Sequence, residues 1–161
     1  MGYANALVDV LQDKIQKDQL INQLHIFLCR KDGVVLHAHK RSTFPGDTQS
    51  VGALASSAWQ AAEAMGNFLS EEDSDDFFRL SFDTSSKGLY ILPLVCESEM
   101  FFVGAFFQNV QNPALMKNRL RSLVRGLRLE KLESKTENEQ DYLFQNITDD
   151  EIDKMFSFVE E

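Results

Sequence analysis

Residues 50–69 read SVGALASSAWQAAEAMGNFL and contain a single charged side chain, that of Glu63. An ordinary surface helix has one wide polar face, whereas small or apolar residues occur on nearly all sides of this stretch. We therefore predict a helix that is buried on two sides. One side covers a sheet, and the small residues of the other side allow a second backbone to come close.

Two elements are candidates to cover the second side of this helix. One is the amphipathic N-terminal helix that we predict over residues 3–22, and the other is the same helix of a second copy of the chain. For a helix pair in a homodimer, we expect the interface to comprise Val51, Leu54, Ala55, Ala58, Ala62 and Met65. Ala55 and Ala58 are alternatives within this set, because the sequence does not tell which of them faces the sheet.

Strand-like segments lie on both sides of the helix. LHIFLCR and VVLHAHK, joined by a KDG turn, predict a β-hairpin over residues 24–40. FFRLSFD, LYILPLVC and MFFVGAFFQ, within residues 77–108, predict a three-stranded meander. In the meander, Phe78, Leu80 and Phe82 share one strand face, and Pro93 indicates a bulge or a strand end. Asn112 and Pro113 open a last helix that we expect to reach Leu132.

The order of these elements predicts the fold class. It is helix, two strands, helix, three strands, helix, which favours an α/β fold of the α+β type with one five-stranded antiparallel sheet and flanking helices. A C-terminal tail helix follows. We expect a domain over residues 1–132, an acidic linker over 133–146 and an amphipathic recognition helix over 147–161.

The charge of the chain is concentrated at its end. The net charge is -9, and residues 133–161 carry ten acidic and two basic residues, a net charge of -8. Nucleic acid is therefore not expected as a partner, because phosphate binding needs a positive surface. Cys29 and Cys96 lie in apolar segments without metal or redox spacing, which indicates buried reduced thiols. No signal peptide and no membrane-spanning run is apparent, so we expect a cytoplasmic protein.

The tail has the pattern of a short amphipathic helix. Thr148 and Glu151 form a capping box, and an apolar stripe follows them. We predict that this helix binds a partner through Ile147, Glu151, Ile152, Asp153, Met155, Phe156 and Val159. A helix this short needs a surface to dock on. The alternative is docking on the chain's own body or on a second copy, with a basic docking face formed by Arg119, Arg121, Arg125 and Arg128.

The sequence contains no recognisable catalytic constellation. His37 and His39 share a strand face, but no further ligands have metal-site spacing. There is no glycine-rich phosphate loop and no serine-containing elbow. We therefore expect no catalytic residues, no metal and no cofactor.

The hairpin LHIFLCRKDGVVLHAHK, the small-residue helix, the meander and the closing helix, in this order, resemble the MglB-like roadblock family over about residues 3–132. The resemblance implies a fold similar to longin and profilin domains. It implies a homodimer that pairs through the helix over residues 50–69. It also implies binding of a small Ras-like GTPase, whose nucleotide cycle or localisation is modulated without donation of an arginine finger.

The tail resembles a second, much shorter pattern. ITDDEIDKMF, residues 147–156, is similar to FliM-type peptides, which bind the receiver protein CheY. Thr148, Glu151, Ile152 and Asp153 match in place, whereas Asp149, Met155 and Phe156 depart from the usual residues. This resemblance implies an alternative function, a signalling adaptor whose C-terminal helix binds a response-regulator receiver domain.

Overall fold

The computed structural model describes residues 2–40, 44–69, 78–96 and 98–128, all of them in a compact unit that ends at Arg128. The elements in chain order are α1 (Gly2–Lys17), α2 (Gln19–Asn22), β1 (His25–Arg30), β2 (Val35–His39), α3 (Thr48–Gly66), β3 (Leu80–Asp83), β4 (Lys87–Cys96) and β5 (Glu99–Gln108). A last helix, α4, is helical from 113 to 128. The predicted linker and tail helix lie outside the described residues.

The five strands form one antiparallel sheet in the order β2-β1-β5-β4-β3. This confirms the predicted sheet and the predicted order of its elements. The N-terminal helix differs from the prediction because it stops at Lys17. Asp18 has an extended backbone, and its side chain accepts hydrogen bonds from the backbone N–H groups of Leu20 and Ile21, at 3.0 and 3.2 Å. Asp18 is thus the N-cap of a separate short helix.

Helices cover both faces of the sheet. On one face, α1 and α4 pack against β1, β4 and β5, with Leu11, Ile15, Leu120 and Leu127 almost fully buried. On the other face, α3 packs against Phe27, Ile91 and Phe102 of the same strands. Side chains alternate between the faces along each strand, so the apolar runs of β1, β4 and β5 supply both cores.

Two glycines fix α3 against the β1–β2 hairpin. Gly33 has a φ of +86°, a backbone conformation that residues with a Cβ rarely adopt. A Cβ atom added at Gly52 of α3 would lie 2.2 Å from the Gly33 carbonyl oxygen and 2.5 Å from Cγ2 of Val35. Helix and turn therefore approach each other at a distance that no side chain permits.

Pro93 is neither in a bulge nor at a strand end. The pairing of β4 with β5 runs in unbroken register from Lys87 to Cys96, with Pro93 opposite Phe102. The pairing of β3 with β4 ends at Ile91, so Pro93 lies beyond the last β3 partner, where its missing N–H breaks no described ladder. Its carbonyl oxygen accepts a hydrogen bond of 2.7 Å from Nη2 of Arg128.

The opening of α4 confirms its predicted start. Oδ1 of Asn112 accepts a hydrogen bond of 3.0 Å from the Leu115 N–H, as an N-cap does, and Pro113 is the first helical residue. The apolar spacing of this helix predicts a buried face that begins at Leu115, and the structure shifts that face by one residue. Met116 is buried in the core, whereas Leu115 is 42% exposed.

Candidate interaction surface

The side of α3 that faces the sheet is part of the chain's own core. It comprises Val51, Gly52, Ala55, Ser56 and Trp59, and all five are buried. Ser56 donates a hydrogen bond of 2.5 Å to the Lys31 carbonyl oxygen, so this buried hydroxyl has a partner. Val51 and Ala55, which we predicted for a dimer interface, are thus already buried within the single chain.

The opposite side of α3 is exposed. Leu54 is 70% exposed and Met65 is 72% exposed, Ala58 between them is also exposed, and Ala62 is half-buried. These four predicted interface residues recur at a spacing that places them along one side of the helix. The N-terminal helix α1 does not cover them, because it packs on the other face of the sheet. The alternative that the N-terminal helix covers the second side of α3 is therefore wrong.

Further apolar side chains extend this exposed side towards β3. Phe68 is 91% exposed, Phe82 is 81% exposed, and Leu69 and Phe78 are more than half exposed. Phe78 packs near Gly66, since a Cβ there would lie 3.1 Å from the Phe78 ring. We call Leu54, Ala58, Met65, Phe68, Phe78 and Phe82 the α3–β3 surface. Large apolar side chains exposed in such number are typical of interaction sites.

Sequence reasoning missed the three phenylalanines of this surface. The alternation of Phe78, Leu80 and Phe82 indicated a strand with one buried face, which is the usual meaning of that pattern. Within the described strands, β3 lies at the edge of the sheet and pairs with β4. Because α3 covers the more central strands, Phe78 and Phe82 stay exposed beside it, whereas Leu80 between them is half-buried against the core under α3. The available signal was the excess of phenylalanine, thirteen residues in 161.

The four arginines predicted as a basic docking face differ in their surroundings. Nη1 of Arg119 lies 3.8 Å from Oδ2 of Asp18, and Arg121 donates a hydrogen bond to Oδ1 of Asn118. Arg128 is half-buried and donates a hydrogen bond to the Pro93 carbonyl oxygen, whereas Arg125 is exposed. A docking role for this face stays a prediction, as does the partner-binding role of residues 147–159, which lie outside the described residues.

The remaining candidates contact the chain itself. Nδ1 of His37 lies 3.3 Å from Nε2 of Gln12, and Nε2 of His39 lies 2.9 Å from the Asn22 carbonyl oxygen. Within the described ranges, no three His, Cys, Asp or Glu residues are grouped as a metal site requires. Cys29 and Cys96 are buried, and burial raises the pKa of the Cys29 thiol to about 12. The Cys29 thiol is thus protonated and unreactive.

His25 is a buried polar group in an apolar setting. Its ring is stacked on Phe44, with centroids 3.7 Å apart and an angle of 5° between the planes. Only 3% of the residue is exposed, and no described residue forms a hydrogen bond with either ring nitrogen. Burial, and to a lesser extent the charges of Lys40 and His39, lowers its pKa to about 4. The folded domain therefore holds His25 neutral.

This lowered pKa predicts a loss of stability in mild acid. The unfolded chain binds a proton at His25 below its ordinary pKa of 6.5, whereas the folded chain does so only near 4. The contribution of neutral His25 to the unfolding free energy is fully present above pH 6.5. It is lost as the pH falls towards 4, by about 1.4 kcal/mol per pH unit. Between pH 7.5 and 5, we expect about 2 kcal/mol less unfolding free energy from this group in urea titrations.

The matched variant is His25→Phe, which keeps a ring against Phe44 and removes the titration. Its unfolding free energy is expected to change less between pH 7.5 and 5 than that of the wild type. His37, whose pKa burial also lowers, keeps its own contribution in both proteins. Equal losses in the two proteins would exclude His25 as the source.

Comparisons with known proteins address the fold. Residues 18–97 match the family model of the Roadblock/LC7 domain. Myxococcus xanthus MglB superposes with a TM-score of 0.60 at 18% identity, over 81% of this chain and 90% of that chain. A structure of MglB with a tetrameric arrangement superposes with a TM-score of 0.56 at 18% sequence identity, over 80% of this chain and 90% of that chain. A Roadblock/LC7 domain from Streptomyces avermitilis superposes with a TM-score of 0.54 at 16% sequence identity, over 76% of this chain and 95% of that chain. No curated protein matches the chain.

At these identities the structural matches establish a shared fold, and the family model places a Roadblock/LC7 domain over the hairpin, α3, β3 and β4. Among the described residues, no helix is both long and apolar enough to cross a membrane.

Proposed function

We propose that this chain, which contains a Roadblock/LC7 domain, is a non-enzymatic homodimeric regulator that binds a small Ras-like GTPase and modulates its nucleotide cycle or localisation. The observation that carries the proposal is the α3–β3 surface. Its large apolar side chains are exposed in the single chain, Phe68 and Phe82 by more than four fifths of their surface. Side chains of this size favour burial by roughly 1.5–3 kcal/mol each.

A second copy of the chain is the occupant that we propose for this surface. The surface combines a helix side with few charges and an edge strand whose outer side is unpaired within the described sheet. A two-fold axis beside α3 and β3 brings each apolar set against its own copy, as an isologous interface requires. The MglB structure with a tetrameric arrangement shows self-association in a protein of the same fold.

The regulatory part of the proposal follows from the roadblock resemblance. A chain that binds a GTPase without donating a catalytic group can alter hydrolysis by ordering the switch segments of the GTPase itself. We therefore propose that the GTPase supplies the catalytic groups for hydrolysis and that this dimer orders the switch segments.

Ala58→Arg tests the interface. Ala58 is exposed in the single chain and lies between Leu54 and Met65, so an arginine fits the monomer but puts two cations against each other across a close helix pair. We expect sedimentation to show a dimer for the wild type and a monomer for this variant. Ala6→Arg on α1 is the matched control, because Ala6 is also exposed on a helix. Ala55→Arg is unsuitable, since it would test the core instead.

The same two variants test the regulatory role. GTP hydrolysis or exchange by a purified small Ras-like GTPase of the same cell is expected to change with the wild type and with Ala6→Arg, and to change much less with Ala58→Arg. The chain alone is expected to hydrolyse no nucleotide. A dimer that persists in Ala58→Arg would remove this surface from the interface, and nucleotide hydrolysis by the chain alone would overturn the non-enzymatic assignment.

A further inference from the structure

Phe44, in the segment that joins β2 to α3, covers the buried histidine of β1. Its ring is stacked on the His25 ring at 3.7 Å and lies 5.0 Å from the Phe106 ring. The ring also lies against the Gly46 backbone, where an added Cβ would be 2.4 Å from Cε1 of Phe44. Phe44 packs against the core under α3 and so attaches this segment to the sheet.

The covered imidazole has no polar partner among the described residues. His25 is 3% exposed, and neither of its ring nitrogens forms a hydrogen bond with a residue in the described ranges. Its ring contacts are Phe44 and Phe106, and neither side chain has a hydrogen-bond acceptor. A buried charge without a partner is much more costly than a buried neutral polar group. A charged imidazole at this position therefore needs contact with water.

The cations around His25 oppose its protonation. Burial lowers the pKa of His25, and the charges of Lys40 and His39, at the end of β2, lower it further. On β5 and β4 the residues in line with His25 are Phe106 and Leu89, which carry no charge. Lys87, two residues before Leu89 on the same face of β4, is another cation.

The carboxylates of the adjoining segments have hydrogen-bond partners of their own. Asp47, which follows Phe44 by three residues, accepts hydrogen bonds of 2.9 and 2.8 Å from the backbone N–H and the hydroxyl of Ser50. Asp18, before β1, caps α2. Neither carboxylate is among the groups that shift the pKa of His25. The structure thus surrounds a buried histidine with groups that favour its neutral form.

We propose that His25 and Phe44 form an acid-sensitive latch, in which protonation of the imidazole displaces the Phe44 ring and releases residues 44–46 from the sheet. His25 and Phe106 are held in the ladder between β1 and β5, whereas residues 44–46 belong to no helix or strand. Displacement of Phe44 therefore breaks no ladder hydrogen bond. The latch is independent of the proposed regulatory function, because neither of its residues belongs to the α3–β3 surface.

The pH dependence of the latch follows from the two states of His25. In the open latch the imidazole titrates at its ordinary pKa of 6.5, and in the closed latch it titrates at about 4. The open state therefore binds the proton more tightly, and opening is favoured as the pH falls from 6.5 towards 4. By this linkage the ratio of open to closed latch rises roughly sevenfold between pH 6 and 5, and changes little above pH 7.5.

Fluorine NMR of the full chain, with para-fluorophenylalanine at position 44, tests the latch. Saturation transfer at this label measures the ratio of open to closed latch, which we expect to rise about sevenfold between pH 6 and 5. The same label at Phe101, which is 1% exposed on the other face of the sheet, is expected to keep its native signal. Fluorescence of Trp59, the single tryptophan of the chain, is also expected to stay native.

Two histidine variants identify the titrating group. His25→Phe keeps a ring against Phe44 and is expected to abolish the rise in the open ratio. His37→Gln is the matched control, because His37 also has a lowered pKa but contacts Gln12 of α1, and it is expected to keep the sevenfold rise. The proposal is wrong if the label at position 44 does not respond to pH, or responds only together with the label at 101. A rise that persists in His25→Phe would also overturn it.

Discussion

Gly52→Ala is expected to lower the unfolding free energy of the domain by about 2 kcal/mol or more, although alanine is the better helix former. The added Cβ would lie 2.2 Å from the Gly33 carbonyl oxygen, and that oxygen belongs to a turn with a φ of +86° at Gly33. Neither backbone can move alone, because α3 is also held by Trp59 in the core and the turn by the β1–β2 ladder. Thermal and urea unfolding measure the loss.

Gly126→Ala is the matched control for this prediction. It is the same substitution within a helix, and its Cβ would lie 3.2 Å from Nζ of Lys14, the end of a long side chain that can shift. We expect it to be neutral or to stabilise by about 0.5–1 kcal/mol, the ordinary gain of alanine over glycine in a helix. If both variants lose stability equally, the contact between Gly33 and Gly52 is not what limits position 52.

Replacing Ile152 and Phe156 together by alanine is expected to weaken partner binding by a hundredfold or more and to leave the dimer intact. The two side chains belong to the apolar stripe that the sequence predicts for the tail. Each contributes roughly 1.5–3 kcal/mol when buried, and 1.4 kcal/mol is a tenfold change in affinity. Titration of the purified GTPase with the two full-length proteins measures the effect. Added salt is expected to weaken wild-type binding, because the tail is acidic.

Lys154→Ala with Ser157→Ala is the matched control, since both residues lie off the apolar stripe. A receiver domain in place of the GTPase tests the alternative partner with the same variants. Deletion of residues 133–161 is expected to change the melting temperature little. A fall of several degrees on deletion, or undiminished binding by the double variant, would contradict a role of the tail as a recognition element.

Local chemistry made much of the fold predictable. The apolar runs of β1, β4 and β5, the KDG turn and the Asn112–Pro113 start of α4 each depend on neighbours in the sequence, and each appears where we predicted it. The break at Asp18 was missed because an apolar periodicity continues through it, whereas the side chain itself caps a new helix. The role of Pro93 depended on where β3 ends, which the β4 sequence does not contain.

The sequence by itself determined that the helix after β2 has no wide polar face, because residues 50–69 carry a single charge in twenty positions. Only the tertiary structure decided which side is which. Val51 and Ala55 meet the sheet, and Leu54 and Met65 do not, since the close approach at Gly52 fixes the rotation of α3. The open face of Phe82 and the burial of His25 likewise follow from strand order. Strand order is set by pairing between segments that are distant in the sequence. The periodic pattern of one segment does not indicate which other segments pair with it.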